Sequence, residues 1–500
     1  MQLKFVLSKI RTLRVSGSLE TEVDSVRYDS RAVRPGSVFV ALDGEHADGH
    51  HFILQALESG ATALVVARGR VDAVPLDCAA TVVEVEDTRI ALAEISAIVY
   101  ENPTFRLKLA GVTGTNGKTT TAWLIKHLCD TNDLHCGLVG TVRYDTGLRV
   151  VDAARTTPEA SDLQELFVEM RLARCRAAAV EVSSHAIAQD RIRGIEFDAA
   201  IFTNLTQDHL DFHGTMDAYF GAKTRWFTDL LYLQHKKRNP VSIVNVDDRY
   251  GAQLAQRLER LGNPLVTFGQ SARASFRAND IKSEFSGTTY SLEHDGKSFL
   301  VRVPLIGTFN VYNSLAALAA AVALGVPLRH AVSSLATAPA VPGRLQPVPA
   351  RKHYQVFVDY AHSPDALTNV LRTLRDLRPA RLITVFGCGG DRDRAKRPLM
   401  ARAAEEYSDL CIATSDNPRS EDPLAILADV EAGFQEKPYE VIADRRHAIQ
   451  RAVALAAPRD IVLIAGKGHE TYQEVKGERF PFDDVQVAAT AIADRMPPEE

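Results

Sequence analysis

The 500-residue sequence is poor in the features that mark secreted, zinc-binding or nucleic-acid-binding proteins. Its six cysteines form no Cys-x-x-Cys pair and show no spacing typical of a zinc site, which favours a reducing compartment. The formal net charge is -5, so the chain lacks the basic field that attracts nucleic acid. We therefore expect a protein that works without nucleic acid in a reducing compartment.

Long apolar runs are absent too. The longest, at 315–326, is shorter than the roughly 18 residues that a membrane-spanning helix needs, and it predicts a buried core helix. The apolar run within residues 1–15 is interrupted by lysine and arginine, so it lacks the central region of a signal peptide. These features predict a cytoplasmic protein without membrane insertion.

The length predicts about three domains, at roughly 100–200 residues each. We place the linkers at 101–104 (ENPT) and within the proline-rich stretch 339–352. The predicted domains are 1–104, 105–340 and 341–500.

The first predicted domain has short apolar runs at 37–42 and 61–67 around a helix-like segment at 52–60, which is typical of a small α/β domain. In the last, strands and helices alternate with polar motifs at the strand ends, which predicts a doubly wound, Rossmann-like domain.

The middle predicted domain has strand candidates at 177–184, 198–205 and 241–246, separated by helical stretches. This alternation predicts a largely parallel sheet. An Asp-Gly turn within 290–303 predicts a hairpin near its end.

The segment GVTGTNGKTTT at 111–121 lies between a predicted strand and a predicted helix. Such a glycine-rich turn directs backbone N–H groups and a helix N-terminus at phosphate oxygens. Lys118 adds a positive charge and Thr119 a hydroxyl suited to magnesium, although Val112 replaces the first glycine of the usual pattern. The predicted ATP-binding residues here are Gly114, Thr115, Asn116, Gly117, Lys118, Thr119 and Thr120.

TGTNGKTT resembles the phosphate loop of the Mur ligases and folylpolyglutamate synthetases, which form amide bonds through acyl phosphates. The segments at 181–186 (EVSSHA), 203–214 (TNLTQDHLDFHG) and 218–227 (AYFGAKTRWF) resemble the next motifs of that family in the same order. The resemblance spans nearly all of the chain. It implies an α/β protein with a small N-terminal domain, a central P-loop-type ATPase domain and a C-terminal doubly wound domain.

Magnesium bound to nucleotide phosphates takes hard oxygen ligands, and Glu181 at the end of an apolar strand is the best candidate from the residues alone. The resemblance implies that Thr119, Glu181 and His209 hold Mg²⁺. It also implies that Lys223 reacts with CO₂ to form N6-carboxylysine, and that Lys118, Glu181, His209 and Lys223 are the catalytic set. Without the resemblance, His209 would be an ordinary polar residue and Lys223 a solvent-facing lysine.

Asn310 and Asn313 resemble the asparagine motif that lies near the adenine in this family, although an asparagine before a helix is also a common capping residue. The resemblance implies that Arg344 and Asp359 meet ATP when the domains close.

YDSR at 28–31 and GEHADGH at 44–50 resemble the uridine-binding segments of the family members that add the third residue of the peptide. Taken alone, these loop residues could also merely form turns, since Asp, Ser and Gly favour turns. The residues implied to bind the UDP-linked substrate are Tyr28, Ser30, Glu45, His46, Ala47, Thr156, Thr157, Ser183, Gln189 and Arg191.

SDNPRSEDP at 415–423 contains an arginine that can form a two-pronged contact with a carboxylate. In the family, this Asp-Asn-Pro-Arg motif marks addition of diaminopimelate. A helix-start loop would explain Asp416 and Pro418 but not Arg419. The residues implied to bind diaminopimelate are Arg392, Asp416, Asn417, Pro418, Arg419, Gly466 and Glu470.

The resemblance thus implies a magnesium- and ATP-dependent ligase of peptidoglycan synthesis, and hence of cell-wall biogenesis, cell shape and cell division. It would be a monomer whose partners are small molecules: ATP, a UDP-linked muramoyl dipeptide and meso-diaminopimelate. Three alternatives remain open at this point: a folylpolyglutamate-type ligase, a phosphate-loop kinase or ATPase, and a catalytically silent nucleotide-sugar-binding protein.

Overall fold

The computed structural model describes residues 1–44, 47–232, 239–350 and 353–495. Within them the strands form three large sheets of five, eleven and six strands and one two-stranded sheet. Each large sheet has its own buried apolar residues, as the three predicted α/β units require.

The first sheet is small and mostly parallel. Its elements are α1 (Leu3–Leu7), β1 (Arg14–Ser16), β2 (Ser25–Arg27), β3 (Ser37–Val40), α2 (Ile53–Glu58), β4 (Ala63–Ala67), β5 (Thr81–Val85) and α3 (Thr88–Val99), with 3-10 turns at Ser30–Ala32, Gly49–Phe52 and Val71–Ala73. The strand order is β1-β5-β4-β3-β2, and β1 pairs antiparallel with β5. Since β3 and β4 are covered on both faces, their sequences are almost entirely apolar, and both strands lie where they were predicted.

The central sheet carries the predicted phosphate loop. Its elements are a 3-10 turn (Pro103–Arg106), β6 (Lys108–Thr113), α4 (Lys118–Asp130), β7 (Cys136–Val139), β8 (Arg143–Asp145), β9 (Val150–Asp152), α5 (Ala160–Leu172), β10 (Ala177–Glu181), α6 (Ser184–Ala188), β11 (Ala199–Phe202), α7 (Leu210–His213), α8 (Met216–Thr228), a 3-10 turn (Leu230–Tyr232), β12 (Val241–Asn245), α9 (Arg249–Leu261), β13 (Leu265–Gly269), β14 (Phe276–Glu284), β15 (Gly287–His294), β16 (Lys297–Val303), α10 (Thr308–Ala323) and α11 (Leu328–Leu335).

The strand order of the central sheet is β16-β15-β14-β13-β12-β11-β6-β10-β7-β8-β9. The strands from β14 to β7 in this order are parallel, and antiparallel strands extend both edges. The predicted parallel sheet is therefore confirmed for its core. The predicted hairpin is confirmed as β15 and β16, which pair across the Asp295-Gly296 turn.

Helix α10 contains most of the apolar run that was predicted to be a core helix. Residues such as Val311 and Leu315 are fully buried, and the helix packs against α4. The hydroxyl groups of Ser314 and Tyr290 lie 2.8 Å apart, which joins α10 to β15. This packing fixes α4, and with it the phosphate loop, against the sheet.

The third sheet is doubly wound, as predicted. Its elements are β17 (Gln346–Val348), β18 (Gln355–Asp359), α12 (Pro364–Asp376), β19 (Leu382–Phe386), α13 (Lys396–Tyr407), β20 (Leu410–Ala413), α14 (Pro423–Glu431), β21 (Tyr439–Val441), α15 (Arg445–Leu455), β22 (Ile461–Ala465) and α16 (Asp484–Asp494), beside the two-stranded sheet β23 (Tyr472–Val475) and β24 (Glu478–Pro481). Its order is β17-β18-β22-β19-β20-β21. Separate apolar clusters cover its two faces, with Phe386 in one and Val385 in the other.

One expectation needs correction. The linker predicted at 339–352 is shorter, because Gln346–Val348 form strand β17 and pair antiparallel with β18. An edge strand tolerates the proline at 347, since only one side of that strand needs to donate hydrogen bonds.

No helix in the described ranges combines the length and the apolar character that crossing a bilayer requires.

A glycine in β6 tests the packing beneath the phosphate loop. A Cβ atom at Gly111 would lie 2.6 Å from ring atoms of both Phe197 and Trp226, which are buried. We expect Gly111→Ala to lower the free energy of unfolding by about 1–3 kcal/mol through overpacking. Thermal unfolding followed by circular dichroism measures this.

The matched control is Gly221→Ala, in the exposed part of α8, where a Cβ atom would meet nothing within 4 Å. It should stabilise the protein by about 0.5–1 kcal/mol, because alanine favours the helix. Equal transition temperatures for the two variants would contradict the predicted overpacking.

Candidate active site

The phosphate loop connects β6 to α4 and is closely packed. Gly117 precedes the first residue of α4 with φ 87°, a left-handed conformation that favours glycine. A Cβ atom at Gly114 would lie 1.9 Å from Thr203 Oγ1, and one at Gly117 would lie 2.4 Å from Asn313 Oδ1. Both glycines are therefore required by space as well as by conformation.

Lys118 folds back over this loop. Its Nζ donates hydrogen bonds to the carbonyls of Gly114 and Thr115, at 2.9 and 2.8 Å. Burial lowers the pKa of Lys118 and the Arg344 cation adds to this, while the carboxylates of Glu181 and Asp208 oppose it. An anion bound beside Lys118 would therefore stabilise its charged form.

Glu181 lies fully buried at the end of β10. Its Oε1 accepts from the Thr141 backbone N–H at 2.8 Å, and its Oε2 accepts from the hydroxyls of Thr141 and Thr119 at 2.9 and 3.0 Å. The carboxylate thus fixes Thr119 at the start of α4. Thr119 faces the cavity described below, with Glu181 directly behind it.

His209 lies on another wall, in a left-handed conformation with φ 53°. Burial lowers its pKa to about 4, against the opposing effect of Asp208, whose Oδ2 is 3.4 Å from His209 Nε2. The imidazole is neutral at pH 7, which is the form that binds metals.

The described residues contain no group of three or more His, Cys, Asp or Glu side chains placed to hold a metal ion by themselves. Magnesium at a nucleotide keeps several waters and phosphate oxygens and takes only one or two protein ligands. Thr119 Oγ1 and the neutral His209 imidazole could supply these one or two ligands. Glu181 accepts a hydrogen bond from Thr119 and so orients its hydroxyl.

Lys223 is buried, with 1% of its surface exposed, so the solvent-facing lysine expected from the residues alone is wrong. Its Nζ lies 3.2 Å from both Thr113 Oγ1 and the Gly114 carbonyl, and 4.9 Å from the centre of the Tyr219 ring. Burial lowers the pKa of Lys223 well below its usual value, Lys118 adds to this, and Asp208 opposes it. The buried amine therefore favours its neutral, nucleophilic form.

A cavity of about 800 Å³ lies between the central and third sheets, and we call it the interdomain cavity. The predicted site residues that line it are Gly114, Thr115, Asn116, Gly117, Lys118, Thr119, Thr120, Thr156, Thr157, Ser183, Gln189, Arg191, His209, Lys223, Asn313, Arg344 and Asp359. The structure therefore brings most of the predicted ATP site and part of the predicted UDP-substrate site into one space.

The two predicted adenine-site asparagines lie inside α10 rather than before it, so the capping interpretation is wrong; Gly307 precedes the helix. Asn313 Nδ2 donates to Asn310 Oδ1 at 2.9 Å, and Asn310 Nδ2 donates to the Ile306 carbonyl at 2.9 Å. Asn310 thus orients Asn313, which faces the interdomain cavity beside Gly117.

A second group of predicted residues adjoins Glu181. Thr157 Oγ1 donates to the Glu181 carbonyl at 2.7 Å and accepts from the Ser183 N–H at 3.0 Å. Arg191 donates to the Thr157 carbonyl at 2.9 Å and to Gln189 Oε1 at 2.6 Å. Burial lowers the pKa of Arg191, and an ion pair with Glu159 at 3.0 Å opposes this shift; Arg191 also lines the interdomain cavity.

Two residues next to the third sheet, Arg344 before β17 and Asp365 in α12, contact the phosphate loop directly. Arg344 Nη2 donates to Thr119 Oγ1 at 3.1 Å, and Asp365 Oδ2 accepts from Asn116 Nδ2 at 3.1 Å. Asp359 accepts from the Leu345 and Ala361 N–H groups, which ties the residue after Arg344 to the end of β18. Burial raises the pKa of Asp359, and Arg344 opposes this.

At the carboxyl ends of β20 and β22 lies a C-terminal polar cluster, which we define as Asp416, Asn417, Arg419, Lys467 and Glu470. Asn417 Nδ2 donates to Glu470 Oε2 at 2.8 Å, and the buried Lys467 Nζ donates to Asn417 Oδ1 at 2.9 Å. Arg419 Nη1 donates to the Gly390 carbonyl at 2.6 Å. The cluster therefore places a cation and a carboxylate on two neighbouring loops.

The remaining predicted residues of this cluster surround it. A Cβ atom at Gly389 would lie 2.9 Å from Arg419 Nη1 and 3.9 Å from Arg392 Cγ, so the two arginines flank one turn. Arg392 is exposed, and Pro418 precedes Arg419 in the loop. The His469 ring, next to Glu470, lies 5.0 Å from the Tyr360 ring, and Tyr360 lines the interdomain cavity. The loop at 466–470 therefore joins the C-terminal polar cluster to the cavity wall.

Tyr28, Ser30 and Ala47, which are predicted to contact uridine or diphosphate, do not line the interdomain cavity. Tyr28 donates to Asp162 Oδ2 of α5 at 2.8 Å, and Ser30 donates to Gln55 Oε1 at 2.7 Å. Ala47 is exposed. Glu45 and His46 lie outside the described residues.

Three residues were missed by sequence reasoning. Thr141 holds Glu181, Asp365 holds the phosphate loop, and Lys467 holds Asn417. Lys467 stands between the predicted Gly466 and Glu470, so its position was a usable signal. Nothing local distinguishes Thr141, because its role depends on a strand distant in sequence.

Comparisons with known proteins agree across the whole chain. Residues 112–321 match the Mur ligase middle domain, residues 343–468 the glutamate ligase domain of Mur ligases, and residues 22–100 the catalytic domain of the Mur ligase family.

Two relatives illustrate the level of similarity, and both are named UDP-N-acetylmuramoyl-L-alanyl-D-glutamate--2,6-diaminopimelate ligase. That of Alkaliphilus metalliredigens is 42% identical over 98% of this chain and 97% of its own. That of Clostridioides difficile is 40% identical over 99% of this chain and 100% of its own.

A solved structure of a ligase with the same name superposes with a TM-score of 0.69 at 33% identity and covers 99% of both chains. The MurF ligase from Thermotoga maritima in complex with ADP gives a TM-score of 0.64 at 19% identity, over 95% of this chain and 99% of its own. The latter likeness shows a shared fold alone.

The position of Lys118 predicts its effect on nucleotide binding. We expect Lys118→Ala to weaken ADP binding by roughly 10-fold to 100-fold, because it removes a charge-assisted contact of about 1.5–3 kcal/mol. Isothermal titration calorimetry with ADP measures this. Lys297→Ala, at the exposed start of β16, is the control and should bind like the unaltered protein. Equal affinities for both variants would remove the phosphate-loop assignment.

Proposed function

The chain belongs to the Mur ligase family, and from this we propose that it joins meso-diaminopimelate to UDP-N-acetylmuramoyl-L-alanyl-D-glutamate with cleavage of ATP. The observation that carries the proposal is the C-terminal polar cluster, which offers Arg419 to a carboxylate and Glu470 to an ammonium group. It lies on the domain that contacts the phosphate loop through Arg344 and Asp365. The names of the relatives support the same substrates.

The product of this reaction is a peptidoglycan precursor, so the proposed role is in cell-wall biogenesis, and through it in cell shape and division. We place the reaction in the cytoplasm, where ATP and the nucleotide-linked precursor occur together.

The three predicted domains divide the substrates. In this proposal residues 1–104 bind the UDP end, with Tyr28, Ser30, Glu45, His46 and Ala47 at the uridine and diphosphate. Residues 105–340 bind ATP and the muramoyl dipeptide, and residues 341–500 bind the amino acid. The ion pair of Arg27 with Glu165, 2.7 Å long, supports this arrangement, because it holds the first sheet against α5 of the central one.

The first chemical step joins the substrate carboxylate to the γ-phosphate of ATP. One carboxylate oxygen attacks phosphorus, the bond to the β-phosphate oxygen breaks, and an acyl phosphate and ADP result. Lys118 stabilises charge on the phosphate oxygens, while Arg191, with Thr157 and Ser183, positions the dipeptide. Thr119, His209 and Glu181 are the residues that would hold Mg²⁺, which when bound neutralises phosphate charge.

The second step forms the amide bond. The neutral amine of diaminopimelate attacks the activated carbonyl, inorganic phosphate leaves, and the nitrogen loses a proton. Arg344 and Asp365 close the third sheet over the phosphate loop, which excludes water from the hydrolysable acyl phosphate. No enzyme nucleophile is required, so the protein contributes positioning and electrostatics.

We propose that Lys223 is carbamylated. Its neutral amine can attack CO₂ with loss of one proton, which places a buried anion beside Lys118. That anion would neutralise the cationic loop and support a metal site that otherwise has few protein ligands.

A labelling experiment tests the carbamate on Lys223. With ¹³C-bicarbonate, we expect a carbamate carbon signal in the nuclear magnetic resonance spectrum of the unaltered protein. Lys223→Arg keeps a cation but cannot carry the group, so this signal should disappear. A signal of equal intensity in both proteins, or none in the unaltered protein, would refute the modification.

Amino-acid-dependent ADP release tests the proposed function. With ATP and the UDP-linked dipeptide present, we expect release with meso-diaminopimelate and at least roughly 100-fold less with lysine, because lysine leaves the Arg419 guanidinium without a carboxylate. ADP release without any amino acid would favour a kinase or ATPase. Release with folate and glutamate would favour a folylpolyglutamate-type ligase.

In the same assay, Arg419→Ala should raise KM for diaminopimelate by roughly 10-fold to 100-fold, equivalent to a lost charged contact of about 1.5–3 kcal/mol. KM for ATP should change less than twofold. The control Arg394→Ala removes an exposed arginine that pairs with Asp429. Parallel changes in both constants for Arg419→Ala would refute the specificity role.

A further inference from the structure

Arg445 is a buried arginine beneath the C-terminal polar cluster. It is the first residue of α15, and its guanidinium is fully enclosed. Its Nε and Nη2 donate to Oδ1 and Oδ2 of Asp484 at 2.8 and 2.6 Å. Asp484 is itself fully buried at the start of α16, so the pair is sealed from water.

The remaining donors of Arg445 reach two strand ends. Nη2 donates to the Ala465 carbonyl at 3.0 Å, and Nη1 donates to the Ser415 carbonyl at 3.4 Å. Ala465 is the last residue of β22 and directly precedes Gly466. Ser415 follows β20 and directly precedes Asp416. One guanidinium thus binds the backbone at the base of both loops of the cluster.

The sheet itself does not provide this connection. In the strand order, β19 separates β20 from β22, so these two strands share no ladder of hydrogen bonds. Strand β19 ends at Phe386, before the level at which the two loops begin. Beyond that level the relative position of the loops depends on contacts such as those of Arg445.

The two loops approach each other closely above Arg445. A Cβ atom at Gly466, where φ is 117°, would lie 2.6 Å from Asp416 Oδ2. Lys467 and Glu470 on one loop bind Asn417 on the other, at 2.9 and 2.8 Å. A shift of one loop by a fraction of an ångström would therefore change the distance between Arg419 and Glu470.

We propose that Arg445, held by Asp484, is a positioning residue that sets the spacing of the 415–419 and 466–470 loops and thereby the affinity for the amino-acid substrate. The inference rests on the proposed function, since it concerns the amino-acid subsite. Arg445 itself is enclosed and does not touch substrate. The C-terminal helix α16 consequently takes part in the site, because it supplies the counter-ion.

The same sheet offers a matched control at its opposite end. Arg381 and Asp460 form an ion pair at 2.6 Å, at the amino ends of β19 and β22. Asp460 is almost fully buried, but Arg381 is partly exposed, whereas both members of the Arg445–Asp484 pair are fully buried. Removing this pair should perturb the domain without moving the loops at the carboxyl ends.

The test compares Arg445→Met/Asp484→Leu with Arg381→Met/Asp460→Leu. Replacing both charges by apolar side chains avoids leaving one buried charge unpaired, which favours a folded variant. We expect the first double variant to raise KM for meso-diaminopimelate at least tenfold, with KM for ATP and for the UDP-linked dipeptide within twofold of the unaltered protein. The second should leave all three constants within twofold.

A second variant keeps the test decisive if the first double variant fails to fold. Arg445→Lys retains the charge but has a single nitrogen in place of the three guanidinium nitrogens. It cannot bind Asp484 and both carbonyls together. It should raise KM for diaminopimelate at least threefold, and that for ATP less than twofold.

The inference is overturned if a folded Arg445 variant keeps the unaltered KM for diaminopimelate, or if all three constants rise equally. A failure of the proposed function would appear differently, as unaltered protein that releases ADP without dependence on diaminopimelate.

Discussion

The buried carboxylate of Glu181 holds the catalytic cleft together. Its two oxygens bind Thr119 at the start of the phosphate-loop helix and Thr141 after β7, and its own carbonyl binds Thr157. Three separate segments of the chain therefore meet at one strand end. Because Thr119 also accepts from Arg344, the position of the third sheet depends on the same carboxylate.

The cleft contains several buried basic side chains. Lys118, Lys223 and Arg191 all have lowered pKa values, and burial is the main cause in each case. Such a site is unfavourable when empty and becomes favourable with anions. A nucleoside triphosphate and a carboxylate substrate would supply them, and a carbamate on Lys223 would supply another. The buried basic side chains thus favour a reaction that brings several anionic substrates together over the binding of a single ligand.

Parts of the fold and the site could be predicted because their signals are local. A glycine-rich turn between a strand and a helix has few backbone solutions, so the 111–121 loop was predictable from residue types and order. Continuous apolar runs predicted β3, β4 and α10, and an Asp-Gly turn predicted the β15–β16 hairpin. The strand β17 was taken for a linker, because the prolines in and around it resemble those of a connection and its pairing partner lies further along the chain.

The sequence by itself determined the family, the order of the domains and the residue types of the phosphate loop and of the Asp-Asn-Pro-Arg motif, since each is written in a contiguous segment. Only the tertiary structure decided that Lys223 is buried rather than exposed and that Asn310 supports Asn313. It also decided that Glu181 stands behind Thr119 and that Arg445 underlies the C-terminal polar cluster. These properties depend on burial and on contacts between segments far apart in sequence. No local pattern encodes them, because each arises only when strand ends from different parts of the chain converge.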